Sequence, residues 1–127
     1  MKSYTDLEQS KKLAKILPLE SADACWTNHM FDSLLSSWRI ESTPPQEYKS
    51  LLDRFVVRGY LIEPAWSLAA LLSVISKPDL VQKSKGTWLV RSWVSAYPWS
   101  PWRVDGCSSP VDACVEMIIK LHKLDLL

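Results

Sequence analysis

Gly86-Thr-Trp-Leu-Val-Arg-Ser-Trp-Val94 and, after a proline-rich interval, Ser109-Pro-Val-Asp112 are the two stretches on which the fold turns. The first is opened by glycine and dense in β-branched and aromatic residues, a composition that suits a pleated, half-buried surface. It predicts a strand. Period-two alternation puts Trp88, Val90 and Val94 on the face expected to meet the core, and Leu89, Arg91, Trp93 and Ser95 on the other. Pro98 and Pro101 bracket Trp99 and Ser100 and favour a turn or an edge. A return strand is expected from Trp102 to Val104, closed by an Asp105-Gly106 turn.

Ser109-Pro-Val-Asp112 combines a hydroxyl at the N-cap, proline at the first helical position and a carboxylate three residues after the cap. Beyond it Val111, Cys114, Val115, Ile118, Leu121 and Leu124 recur three or four apart, so they form one apolar stripe. Lys120, His122 and Lys123 fall in the last turns, where positive charge suits the helix dipole. A helix with such a face must bury it, and the adjoining strand pair is the nearest apolar surface.

Working outward, Thr5-Asp-Leu-Glu8 has a capping-box pattern, and Leu7, Leu13, Ala14 and Leu17 continue as a helix that Pro18 ends. Ser21 to Thr27 predicts a strand with Ala22, Ala24 and Trp26 on one face. Met30 to Glu41 fits either helical spacing or a strand end. Thr43-Pro-Pro45 reads as a loop from which a short helix could run through Leu51 and Leu52. Phe55 to Ile62 is one bulged strand or two strands around Arg58-Gly59. Leu68, Leu71, Leu72 and Ile75 predict a buried helix between Pro64 and Pro78, and Lys77 to Lys85 reads as a surface connection. Together these predict one α+β domain over residues 1–127, with a mainly antiparallel sheet and helices near 5–17, 66–76 and 110–123.

The length is enough for an independent core, and 47% apolar with 23% charged residues is ordinary globular usage. Fifteen Lys plus Arg against fourteen Asp plus Glu leave a charge of +1, with no global pull toward nucleic acid or an anionic membrane. No stretch approaches the ~18 apolar residues of a membrane span. The N-terminus has no apolar secretory run, and three cysteines without a framework spacing fit free thiols, so a cytoplasmic location is expected.

Three blocks carry a resemblance. Tyr4-Thr-Asp-Leu-Glu-Gln-Ser-Lys-Lys-Leu-Ala14 through Pro18-Leu-Glu-Ser-Ala-Asp23, then Pro64-Ala-Trp-Ser-Leu-Ala-Ala-Leu-Leu72, then Ser109-Pro-Val-Asp-Ala-Cys-Val-Glu-Met-Ile-Ile-Lys-Leu121, resemble a family of small uncharacterised proteins of gut-bacterial genomes. Many of those proteins belong to prophages or other mobile elements. The resemblance covers about half the chain; it implies a shared α+β fold and a mobile-element context, and no activity. The closing strand-strand-helix portion is also distantly similar to the αβα sandwich domains of phage proteins.

No catalytic motif is spelled out. Gly59, Gly86 and Gly106 are too dispersed to cradle a phosphate, and there is no nucleophile elbow or paired-cysteine zinc pattern. Cys25 and His29, four apart, would share a face if helical, but Ala24-Cys25-Trp26 looks more like a strand and Cys25 reads better as a small buried residue. Cys107, in an expected loop, has no cationic neighbour to activate it. No metal, cofactor or enzymatic role is expected.

The seven tryptophans are the unusual feature. Trp26, Trp38, Trp66 and Trp88 have patterned apolar neighbours and are expected in the core. Arg91, Trp93, Tyr97, Trp99, Trp102 and Arg103 are the candidate binding residues, because Trp93 alternates with Arg91 and the others lie among prolines. An aromatic and arginine surface of this kind serves a protein partner or a second copy of the chain. The alternative is stacking of single-stranded bases, which the near-zero net charge disfavours.

Overall fold

Trp66 is the largest side chain taken wholly out of solvent among the described residues. In the computed structural model, which describes residues 2–29, 38–54, 60–83, 86–94 and 99–127, the chain divides into two compact units. One is Asp6–Ser67; the other is Leu68–Leu127 together with Met1–Thr5.

The first unit contains helix α1 (Leu7–Ala14), a single turn of 3₁₀-helix (Leu19–Ser21), strands β1 (Ala24–His29) and β2 (Arg39–Glu41), helix α2 (Pro45–Arg54) and strand β3 (Tyr60–Ala65). Its antiparallel sheet has the order β2-β1-β3, with Trp26 opposite Ile40 on one side and Glu63 on the other. The capping box of α1 is Asp6 with Gln9, one residue later than expected from Thr5 and Glu8: Asp6 Oδ1 accepts from the Gln9 N–H at 2.8 Å, and the Asp6 N–H donates to Gln9 Oε1 at 3.0 Å. Two overlapping frames offered a cap; the one that formed starts with a carboxylate, a slightly better N-cap than threonine. The helix stops at Ala14; Leu13 within it and Leu17 just beyond it are buried.

β1 is the middle strand, and Ala24, Cys25 and Thr27 are all buried, so both of its faces are covered near its start. Trp26 and Trp38, like Trp88 in the other unit, are only half-buried, unlike the core positions expected for them; of the four, Trp66 alone is wholly buried. Pro64 lies within β3, which is tolerable because β3 is an edge strand and a missing donor costs little there. The short helix anticipated after Thr43 is α2. The ambiguous residues 30–37 and 55–59 lie outside the described residues, while Arg39–Glu41 and Tyr60–Ala65 are strands.

Trp66 follows β3 directly. Its indole N–H donates to Ser21 Oγ at 2.9 Å, and the Ser21 hydroxyl donates to the Pro18 carbonyl at 2.6 Å. Asp23 accepts from the Ser67 N–H at 2.8 Å and also from the Ser67 hydroxyl. Two of the resembling blocks, Pro18–Asp23 and the start of Pro64–Leu72, are thus joined by hydrogen bonds.

In the second unit, helix α3 (Leu68–Val74) precedes strands β4 (Pro78–Gln82), β5 (Trp88–Ser92) and β6 (Trp102–Cys107), and helix α4 (Pro110–Lys123) ends it. The sheet order is β4-β5-β6, all antiparallel. The four helices and two antiparallel sheets are the α+β class expected. The expected surface connection from Lys77 to Lys85 contains β4. Its composition misleads because edge strands are short and carry charge or proline. Asp105-Gly106 does not close β6 either. Trp88 faces Cys107 and Val90 faces Val104, so Leu89 alone stands against both Asp105 and Gly106. This is a β-bulge, and Gly106 at φ +78° supplies the left-handed conformation it needs.

Ser109 caps α4 by accepting from the Asp112 N–H at 3.0 Å, with Pro110 at the first position as predicted. Val111, Cys114, Val115, Ile118 and Leu121 of the stripe are buried together with Ala113 and Met117, while Leu124 is exposed. Each large aliphatic member contributes about 1.5–3 kcal/mol of burial, so this face is the main apolar component of the unit. Lys2 reaches Asp112 at 2.8 Å. Ser92 Oγ donates to the Ser76 carbonyl at 2.8 Å and Ser76 Oγ donates to the Trp93 carbonyl at 3.1 Å, which fixes the exit of α3 to β5. Among the described residues no helix is long and apolar enough to cross a membrane.

The Trp66 connection predicts that Trp66→Ala lowers unfolding free energy by about 3–5 kcal/mol. Ser21→Ala, which removes one acceptor from a buried indole, should cost about 1 kcal/mol. Urea denaturation measures both. Equal small losses would show that the indole is not a core element.

Candidate functional site

Facing residues of antiparallel strands point to the same side, so the register sorts the candidate residues. Asp79, Arg91 and Arg103 form one row across the sheet; Pro78, Ser92 and Trp102 form the next, on the opposite face, which they share with Leu80, Val90 and Val104. Val90 and Ser92 are fully buried, and the Lys120 ammonium of α4 lies 5.7 Å from the centre of the Trp102 ring. The helix therefore covers the Trp102 face. The two arginines are on the other side.

The expected patch is consequently not one surface. Arg91 is ion-paired with Asp79. Arg103 contacts Asp105 at 3.3 Å, and Asp105 is also bound by Lys83 at 2.6 Å. The Lys83 hydrogen bond holds the Asp105 carboxyl below the ordinary carboxylate range. Trp93, just past β5, is half-buried. Tyr97 lies outside the described residues.

What remains together is Trp99 and Trp102. Trp99 lies in the β5–β6 connection and is 73% exposed, the most exposed of the large apolar side chains described. With Ser100, Pro101 and Trp102 it lines a shallow groove of about 270 Å³. Pro101 restricts the backbone between the indoles, and Trp102 is the first residue of β6, so one wall of the groove belongs to the sheet. Lys120, beside the Trp102 ring and not in the groove lining, is the neighbour that sequence reading missed. Its position in the last turns of α4 suggested only a dipole role, and the packing angle that carries it to Trp102 has no signature in the sequence. Its ammonium also donates to the Arg103 carbonyl at 3.1 Å, which ties it to the edge strand.

A broader hollow of about 690 Å³ lies between α2 and β3, lined by Leu19, Pro45, Tyr60, Ile62 and Pro64 with Lys49 on its margin. The Tyr60 hydroxyl there is engaged by Asp53 at 2.7 Å. The lining is mainly apolar and brings no acid-base pair together.

The thiols are not poised for chemistry. Burial, and then Glu41 opposite it in the sheet, push Cys25 up to about 11; burial, and then Cys107, push Cys114 up to about 12. Cys107 ends β6 and is half-buried, not an exposed loop residue, and its thiol is also raised, chiefly by burial. Cys25 and His29 both lie in strand β1 and not in a helix. Among the described residues, no three His, Cys, Asp or Glu side chains converge.

No family model, curated protein or solved structure matches the chain.

Native protein treated with iodoacetamide near pH 8 should therefore be modified slowly, first at Cys107, and at Cys25 and Cys114 only on unfolding, as mapped by mass spectrometry. In the unfolded chain these thiols ionise near 9.0, whereas the fold keeps Cys25 protonated to about 11 and Cys114 to about 12. Stability linked to them is fully present below pH 9 and is lost as pH rises through that window, by about 1.4 kcal/mol per pH unit for each thiol. Cys25→Ala should flatten the alkaline slope in urea denaturation; an unchanged slope contradicts the assignment.

Proposed function

We propose that this chain is a non-enzymatic binding protein that engages a protein partner through the Trp99–Trp102 surface, in the cytoplasm and in the mobile-element setting that its three resembling blocks imply. One observation carries the reading. A tryptophan left 73% exposed, on a connection between two paired strands, is costly surface for a protein to leave in water and is the kind of anchor that dominates interfaces. The neighbouring Trp102 is braced by the sheet and Lys120, so the second ring is held for contact at little further entropic cost.

Other features support this against the alternatives. A single-strand nucleic-acid groove tracks phosphates with unpaired cations beside its stacking rings. Here Arg91 and Arg103 lie on the opposite sheet face from Trp102 and are matched by Asp79 and Asp105. Raised thiol pKa values give no support to nucleophilic chemistry at Cys25, Cys107 or Cys114. Free thiols are compatible with a reducing compartment.

Affinity capture from host cells with the wild-type chain and with Trp99→Ala as baits tests the reading. At least one protein, or the chain itself in sedimentation analysis, should associate with wild type and be lost with Trp99→Ala, a drop of about 2 kcal/mol or more in affinity. The substitution should change folding stability by less than about 0.5 kcal/mol. Identical capture by both baits refutes the assignment.

A further inference from the structure

We infer that the Trp99–Trp102 groove accepts an extended, proline-containing peptide segment with a carboxylate beside its prolines. This rests on the protein-binding reading above and specifies the chemistry of the partner. Size is the first constraint. At about 270 Å³ the groove is shallow and below the ~300–1,000 Å³ of pockets that enclose small molecules. It suits one or two side chains of a polypeptide lying across it.

Shape and polarity are the second. Two indoles three residues apart line the groove with Pro101 between them, and aromatic-lined grooves of this type accommodate the pyrrolidine rings of polyproline II segments. Such segments are already extended before binding, so little conformational freedom is lost on a surface this small.

Charge is the third constraint, and it selects among occupants of an aromatic groove. Tryptophan faces also attract cations, so a quaternary or primary ammonium would be a natural competitor. Here Lys120 already stands over Trp102 at 5.7 Å and is held by its 3.1 Å hydrogen bond to the Arg103 carbonyl. A second cation would be repelled by this fixed charge, whereas a carboxylate flanking the prolines is drawn to it. Arg103 does not offset the preference, since its guanidinium is turned to Asp105 on the other face.

Fluorescence anisotropy of the full chain with labelled probes tests this. The probes are a short polyproline peptide flanked by glutamates, the same peptide flanked by lysines, an alanine peptide flanked by glutamates, and an oligothymidylate. The glutamate-flanked polyproline should bind saturably. Exchange of its glutamates for lysines should weaken it about tenfold, equivalent to ~1.4 kcal/mol. Lys120→Gln should remove most of that discrimination, and Trp99→Ala should abolish binding with thermal stability unchanged. Equal binding of the alanine peptide, preference for the lysine-flanked peptide or the oligothymidylate, or no saturable binding of the glutamate-flanked polyproline overturns the inference. If partner capture depends on Trp99 while that peptide fails to bind, the inference falls and the protein-binding reading stands. If Trp99 is dispensable for capture, both fall.

Discussion

The hydrogen-bonded burial of Trp66 is the interaction on which the first unit depends. Its ring has no solvent contact, yet it carries a donor, and a buried donor without an acceptor is costly. Ser21 supplies that acceptor from a 3₁₀ turn, and the same hydroxyl donates to Pro18, so the turn is fixed by the ring that it satisfies. One residue further on, Ser67 and Asp23 repeat the connection. The end of β3 and the approach to β1 are thereby held together beside the central strand. A larger sheet was not needed to close this core.

The second unit solves a similar problem with a helix. α4 lays a continuous apolar face on the sheet face that carries Val90 and Ser92, while the ion pairs of Asp79, Arg91, Arg103 and Asp105 occupy the reverse. Its edges are defended by different means: β4 is short and begins with proline, and β6 has a bulge at Gly106 and the Lys120 ammonium on a backbone carbonyl. Such devices discourage unintended strand pairing. Trp99, on the β5–β6 connection, is the most exposed large apolar side chain described.

How much of this was legible depended on how many signals coincided. α4 could be placed because hydroxyl, proline and carboxylate fell within four residues and the stripe continued for three turns. The cap of α1 was displaced by one residue because Thr5-Glu8 and Asp6-Gln9 offer the same chemistry in adjacent frames. β4 was hidden because an edge strand has the composition of a loop. Gly106 marked a positive φ, but turns and bulges use that conformation alike. For the site, alternation along β5 and β6 was readable, whereas their relative register was not. Without it, Arg91 could not be set beside Arg103 on the face opposite Trp102, nor could Lys120 be brought to the Trp102 ring.

The seven tryptophans divide at their extremes: Trp66 is wholly buried in the scaffold, and Trp99 is the most exposed large apolar side chain described. Hydroxyl-radical footprinting of the native chain, read residue by residue by mass spectrometry, tests this division most directly. It should find Trp99 oxidised fastest and Trp66 protected until the protein unfolds, with Trp26, Trp88 and Trp102 between them. Protection of Trp99 to the level of Trp66 in the isolated chain, or ready oxidation of Trp66, would contradict it.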